Sequence, residues 1–492
     1  MYGKFPLHPP IHFGTDGWRG IIADDFTFDR LAAVAPIAAH ILRETFGASG
    51  SNTIIVGYDR RFMSADFAKR TAEVVAAIGF DVLLADDFAP TPAFSWAAYE
   101  RKALGALVIT ASHNPANYSG LKIKGAFGGS VSPDVTAKVE EILARGDFAY
   151  ESTQKGKIKT FDAWASYCEA LRGKVNIGAI KEAIALGKLT VFADVMHGAA
   201  ASGLARILEL PPESQANLIE INSDTDPLFG GNAPEPLPRY IADLFRQVKT
   251  YHREYPEKTL VGFVFDGDAD RIAAVDSEGN FLSSQILIPI LMEHLAKSRG
   301  FKGELIKTIS GSDLMPKVAT LFDLPVYETP VGYKYIAERM LSGIPCLLGG
   351  EESGGIGYGN HIPERDALLS ALYVLEAIAL SGKDLSLLYS DLQKQTNFVS
   401  HYDRIDKKLS GMAAREKLVS TLQQFSLTKI AGRRVIDTQS PDGYKFRLED
   451  GSWLLIRFSG TEPLLRLYCE ASTPELVQQT LNWISNWAEQ FN

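Results

Sequence analysis

Three aspartates, Asp266, Asp268 and Asp270, stand at alternate positions in FVFDGDADR, directly after an apolar run. Gathered at one strand end, three carboxylates repel one another unless a divalent cation sits among them. An all-oxygen donor set favours Mg²⁺ or Ca²⁺. An EF-hand is excluded, because Arg271 stands where that loop needs Gly and Ser277 where it needs the bidentate Glu. A solvated acidic turn is the rival reading. Arg271, next to the carboxylates, is available to a phosphate bound at the metal.

A second polar loop, TASHNP at residues 110–115, follows the apolar ALVIT. Ser112 is thereby expected at the carboxyl end of a strand, where open α/β sheets place their ligands. A serine hydroxyl is a weak nucleophile and needs a neighbouring base or a metal-polarised partner. His113 adjoins it, and Lys122 and Lys124 follow. Taken alone, the pattern also fits an Asx or Ser turn that ends a strand.

Residues 349–366, GGEESGGIGYGNHIPERD, combine glycines with Glu351 and Ser353 two positions apart, an acceptor beside a donor/acceptor. Vicinal sugar hydroxyls fit that pair, and the glycines allow close approach of the backbone to a ligand. A flexible connection is the alternative. Lys334 in TPVGYKYI reaches the same ligand or remains a solvated lysine, and His361 is a proton carrier or a satisfied structural histidine. In RFSGTEPLLR, residues 457–466, Arg457, the hydroxyls of Ser459 and Thr461 and the backbone N–H of Gly460 are donors suited to a dianionic phosphate. Arg466 closes the segment. A Ser/Thr turn is again the plain reading. No Walker A pattern, GxSxG elbow or HExxH occurs.

The surrounding periodicity supplies scaffolds for these loops. Buried-strand runs at residues 53–59, 81–85 and 106–110 alternate with a helical face through Phe67, Thr71, Val74, Val75 and Ile78, the wiring of an α/β unit. The charged, aperiodic stretch 146–159 marks a boundary. The expected units are 1–157 around the serine, 158–277 around the aspartates, 278–397 around the glycine-rich loop and 398–492 around the arginine loop. The last reads as α+β, with short strands between helices at 412–425 and 474–491. Of 492 residues, 46% are apolar and 22% charged, enough for several buried cores and too ordinary for disorder. The formal charge of −9 argues against nucleic acid, so an anionic ligand must be held by local basic clusters. Cys168, Cys346 and Cys469 are too scattered for a disulfide framework and read as core residues of a cytoplasmic protein. No apolar stretch reaches the roughly 20 residues of a membrane span.

With FGTDGWRG at residues 13–20 ahead of them, the four loops in this order resemble the α-D-phosphohexomutase family of phosphoglucomutases and phosphomannomutases, over essentially the whole chain. The resemblance implies four domains around a central cleft, three with a mixed α/β core and a C-terminal α+β domain. It implies that Ser112 is the phosphorylated serine and that Asp266, Asp268 and Asp270 are the Mg²⁺ ligands, with the serine phosphate as a further ligand. Glu351 and Ser353 then contact sugar hydroxyls, Arg457, Ser459, Gly460 and Thr461 hold the distal phosphate, and Arg19 and Lys122 stand near the phosphoserine. The implied reaction interconverts hexose 1-phosphate and hexose 6-phosphate through glucose 1,6-bisphosphate. Lys122 is the first candidate proton acceptor, with His113 and His361 behind it. Two departures stand out. Gly355 occupies a place where some members carry histidine, and Tyr58 stands in VGYDRR where arginine is frequent, so only Arg61 is carried over from that segment. GEESGG is closer to glucose-type members than to phosphoglucosamine mutases. Phosphoglucomutase is the first reading, beside a phosphomannomutase or dual-specificity enzyme and a glucose-1,6-bisphosphate synthase. An aspartyl phosphatase using Asp266 and a non-catalytic sugar-phosphate sensor are the readings from other classes. The expected partners are small sugar phosphates, acting on a monomer or dimer.

Overall fold

The computed structural model describes residues 9–14, 16–146, 148, 154–424, 427–458 and 463–491. The continuous apolar runs Thr53–Tyr58 and Gly105–Ile109 become central strands, as expected of strands covered on both faces. They belong to a seven-stranded sheet in the order Phe13–Gly14, Gly17–Ile21, Tyr118–Gly125, Gly105–Ile109, Thr53–Tyr58, Asp81–Ala85, Ile158–Phe161. Helices Phe28–Phe46, Ser64–Ala77 and Pro133–Arg145 cover one face, with Leu31, Val75 and Val139 against Ile54, Val56 and Leu107. Strand Ile158–Phe161 pairs in parallel with Asp81–Ala85. Residues placed by periodicity in the second unit therefore complete the first sheet.

The second sheet runs Phe281–Leu282, Ile272–Val275, Thr259–Phe265, Leu189–Asp194, Leu218–Ile221, and the third Val326–Thr329, Glu304–Thr308, Cys346–Gly350, Ile356–Tyr358. Strand Phe281–Leu282 pairs back onto Ile272–Val275, so a break at residue 277 would cut a hairpin of the second sheet. One apolar core is continuous through all three units, from Ala93 and Phe94 through Phe263 and Phe265 to Leu372 and Tyr373. Cys168 and Cys469 are buried as expected, whereas Cys346 opens its strand and is only half-buried.

The fourth unit carries an antiparallel six-stranded sheet, His401–Lys408, Leu464–Ala471, Trp453–Phe458, Tyr444–Leu448, Arg433–Gln439, Lys429–Ile430. Helices Met412–Gln424 and Pro474–Glu489 contribute Leu418, Leu481 and Ile484 to its separate core. Its seam with the third unit combines an apolar cluster, Ile309 and Val331 against Trp453, Leu455 and Tyr468, with a set of polar contacts. Buried Glu470 accepts hydrogen bonds from the Asp313 backbone N–H (2.8 Å) and from Trp453 Nε1 (2.7 Å), Lys445 Nζ donates to the Ile309 carbonyl (2.7 Å), and Arg447 pairs with Asp313 (2.6 Å). No helix among the described residues is long and apolar enough to cross a membrane.

One topological feature positions the chemistry. In each of the first three units, the strand entering the polar loop leaves it as an antiparallel neighbour: Gly105–Ile109 with Tyr118–Gly125, Thr259–Phe265 with Ile272–Val275, Cys346–Gly350 with Ile356–Tyr358. The fourth loop lies between antiparallel Trp453–Phe458 and Leu464–Ala471.

Candidate active site

The loops of all four units meet at one cavity of about 310 Å³, lined by Asp16, Arg19, His113, Arg271, Lys334, Glu351, Ser353, Arg365, Arg404, Arg457 and Arg466 among others. Ser112 is fully buried just behind the lining residue His113, with a left-handed φ of 54° that turns the chain sharply after its strand. Ser112 Oγ donates to Asp266 Oδ2 at 2.9 Å and lies 3.3 Å from His113 Nδ1. Thr110 Oγ1 accepts the Ser112 N–H at 2.9 Å. Arg61, its side chain closed to solvent, does not face the cavity. Its guanidinium donates to the carbonyls of Ser112 (2.6 Å), Asn114 (2.6 Å), Pro115 (2.9 Å) and Tyr118 (3.1 Å), and Asp59 braces it at 3.2 Å. The residue carried over from VGYDRR thus shapes the loop around Ser112.

Asp266, Asp268 and Asp270 are fully buried and their carboxylate oxygens lie within 4.8 Å of one another. The loop reaches the serine because Gly267 lacks a side chain: a Cβ there would stand 2.4 Å from the Ser112 carbonyl oxygen. Asp268 is oriented by Thr91 Oγ1 at 2.5 Å. Lys122 Nζ lies 2.8 Å from each of Asp16, Asp268 and Asp270. Burial alone would lower its pKa, but the three carboxylates outweigh burial and hold the ammonium charged. Lys122, the first choice as proton acceptor from the sequence, is therefore placed to balance charge. Burial raises Asp266 well above the usual carboxylate range, reinforced by Asp270 and Asp268, whereas Lys122 and Thr91 overcome burial at Asp268 and lower it. The Oδ1 atoms of Asp268 and Asp270 are buried without a hydrogen-bond partner. Two orphaned anionic oxygens within a three-carboxylate cluster fit a hard divalent cation such as Mg²⁺.

His113 and Arg19 form the cavity wall over the serine, with Arg19 Nη1 donating to Asn114 Oδ1 at 2.5 Å. Burial, with Arg271, Arg19, Lys122 and Arg61 nearby, pushes the imidazole well below its ordinary pKa and keeps it neutral. In the third unit, Ser353 Oγ donates to Glu351 Oε1 at 2.7 Å, so the two residues read as sugar contacts are adjacent on the cavity wall. Lys334 also lines the cavity. The glycines of this loop serve a different purpose from the one expected. A Cβ on Gly354 would lie 2.6 Å from the Ile272 carbonyl oxygen, and the Ile272 N–H donates to the Gly354 carbonyl at 3.0 Å. They let the sugar-side loop and the aspartate loop touch through their backbones.

His361 does not belong to the site. Its side chain is closed to solvent, its ring stacks on Trp96 at 5.3 Å, and Nε2 faces Asp366 at 3.3 Å, which makes it a structural residue. At the far end, Arg457 stands directly across the antiparallel ladder from Arg466, whose partner on the other side is Asp406, and Arg404 lies two pairs farther along, opposite Tyr468. Like charges facing each other in a sheet repel, and an anion removes that cost. Arg457 pairs with Asp442 at 2.9 Å, and Arg466 Nε is buried without a partner among the described residues. Ser459, Gly460 and Thr461 lie outside the described residues.

Sequence reasoning missed Asp16 and Arg365. Both sit inside recognisable motifs, FGTDGWRG and HIPERD, but their partners are far off in sequence: Arg365 pairs with Asp16, 349 residues away, and, at 2.6 Å, with Asp270, 95 residues away.

Comparison with known proteins agrees with this geometry. Residues 10–150, 165–279, 283–396 and 406–484 match, in turn, phosphoglucomutase/phosphomannomutase alpha/beta/alpha domains I, II and III and the C-terminal domain. A phosphoglucomutase/phosphomannomutase of Thermococcus kodakarensis is 28% identical over 470 residues, 95% of this chain and 96% of that one. A protein of Methanothermobacter thermautotrophicus named probable phosphoglucosamine mutase is 30% identical, with 95% of each chain covered. The crystal structure of a Thermus thermophilus protein assigned as a phosphomannomutase superposes with a TM-score of 0.82 at 32% identity, covering 98% of this chain and all of that one.

Proposed function

The chain belongs to the phosphoglucomutase/phosphomannomutase family of phosphohexomutases, and from that premise we propose that it interconverts glucose 1-phosphate and glucose 6-phosphate, with mannose phosphates turned over in the same cleft. One observation carries the reading: a serine hydroxyl 2.9 Å from a three-carboxylate cluster, both buried directly behind the wall residues His113 and Arg365 of a cavity that also takes in Arg457 and Arg466, which face each other across a sheet. Such a cavity suits a molecule with an anionic ester at each end, a hexose bisphosphate.

Asp266, Asp268 and Asp270 would hold Mg²⁺, which when bound neutralises charge on the transferring phosphoryl group. The chain's own residues supply the rest. The bond between Ser112 Oγ and phosphorus breaks as one forms to the free hydroxyl of the hexose monophosphate, and the proton of that hydroxyl replaces the phosphoryl group on Ser112. His113, with Nδ1 3.3 Å from Oγ, is the group placed to carry that proton. Arg19 and Arg271, on the wall above, meet the phosphate oxygens, and Lys122 keeps the aspartate cluster balanced. The bisphosphate then turns end for end. Arg457 and Arg466 take the ester that has just formed or is about to react, and Glu351 with Ser353 reads two adjacent hydroxyls in either pose. Since Ser112 is buried, loading its Oγ requires the side chains above it to make room.

Glucose 1-phosphate, mannose 1-phosphate and glucosamine 1-phosphate, assayed in parallel with and without glucose 1,6-bisphosphate, test the proposal. Turnover of the first two with acid-stable phosphate on Ser112 is expected. A labile acyl phosphate on Asp266, or net release of inorganic phosphate, contradicts it. Product that stays as free bisphosphate marks a bisphosphate synthase.

A further inference from the structure

Gly355, one of the two departures noted in the sequence, has no room for a side chain. A Cβ there would lie 2.3 Å from Arg365 Cδ and 3.1 Å from Glu351 Oε1. The volume beside the carboxylate is filled by Arg365, which arrives from ten residues farther along. Its side chain is 5% exposed, and it makes three ionic contacts: Nη1 with Glu351 Oε1 at 3.4 Å, and Nη2 with Asp270 Oδ2 at 2.6 Å and with Asp16. Tyr333 lies under the guanidinium, 5.4 Å from ring centre to Cζ. Each carboxylate belongs to a different unit, so one planar cation joins the serine domain, the aspartate loop and the sugar-side loop.

We infer that Arg365 is a positioning residue for sugar recognition, holding Glu351 in the rotamer that accepts hydrogen bonds from the hexose hydroxyls, and linking that carboxylate to the reacting end. The physical reason lies in burial. An isolated buried carboxylate gains a proton or rotates toward solvent, and either change removes an acceptor from the cavity. Ser353 alone gives Glu351 a neutral donor on Oε1, whereas the guanidinium gives it a charge and a fixed plane. A direct hydrogen bond between Arg365 and substrate is unnecessary for this role.

The inference rests on the proposed hexose phosphate site, and the experiment separates the two. Affinities of glucose 1-phosphate and its 3-deoxy and 4-deoxy analogues are measured by calorimetry on the unphosphorylated protein, and kcat/KM is measured on the phosphorylated protein, for wild type, Arg365→Met, Arg365→Lys and Glu351→Gln. Wild type is expected to favour the full substrate by about 10- to 150-fold, the worth of a charged hydrogen bond. Arg365→Met should bring that ratio to within about threefold, Arg365→Lys should restore part of it, and adding Glu351→Gln to Arg365→Met should cost little more. A folded Arg365→Met protein that keeps the wild-type ratio, or that weakens all three ligands equally, overturns the role. Should the methionine variant fail to fold, the lysine variant decides: an unchanged ratio there also overturns it. A wild type without mutase activity on any hexose phosphate would instead defeat the functional reading, while the calorimetric ratio would still decide the part played by Arg365.

Discussion

The two ends of the cavity are built on opposite electrostatic plans. Around Ser112, cations and carboxylates neutralise one another: Lys122 touches three aspartates and Arg365 three carboxylates, all of them buried except the half-buried Asp16, and the units that carry them share a continuous apolar core. In the fourth unit, two arginines face each other across a sheet, Arg457 with Asp442 beside it and Arg466 with a buried Nε that has no partner among the described residues. That unit has its own core and meets the third through a small apolar cluster around Ile309 and Trp453 flanked by polar contacts. A reacting centre must keep its groups in place to within fractions of an ångström, which a shared core and saturated ion pairs accomplish. A grip must leave charge available for its ligand.

The sharpest way to break the comparison is at the reacting end. Ser112→Ala should lower mutase turnover by at least about 10⁴-fold while calorimetry shows sugar phosphate still binding, since the arginine end is untouched. Residual turnover near wild type would remove the serine from the mechanism. Gly267→Ala comes next. Its new methyl group would meet the Ser112 carbonyl at 2.4 Å, and a displacement of about 1 Å there should cost about 100-fold in kcat with little change in KM. An equal change in both parameters would mean that the loop adapts.

Arg457→Ala and Arg466→Ala test the grip. Each should raise KM by about 10- to 150-fold, the range expected for losing a charged hydrogen bond, with kcat less affected. Unlike the buried end, these effects should shrink as salt increases. A salt-independent loss would show that this end is as closed as the other. The smallest effect concerns protons. His113 has a folded pKa below its unfolded value, so as pH falls through 6.5 the unfolded chain binds its proton first and folding loses stability. Wild type should therefore lose more Tm than His113→Asn between pH 7.5 and pH 5.5. Parallel pH profiles would show that the imidazole is not held neutral by its surroundings.

Much of the site was readable one loop at a time. Asp266, Asp268 and Asp270 follow an apolar strand closely enough for their crowding to be inferred, and Ser112, Glu351 and Arg457 lie in short segments whose composition differs from their flanks. The α+β character of the C-terminal unit also followed from its short strands between two helices. His361 was misread because one polar letter in a glycine-rich loop does not say whether it points at a cavity or under Trp96.

Local order along the chain determined which loops are polar and which strands deliver them, because alternation, apolar runs and turn residues act over a few positions. Tertiary structure alone decided which charges neutralise which. Asp16, Lys122, Asp268, Asp270 and Arg365 come together from three units, and the ionisation and aim of each depend on partners that only folding brings within 3 Å. The same holds for Gly355: in sequence it is one glycine among several, and only the packed structure shows that an arginine occupies the space it leaves empty.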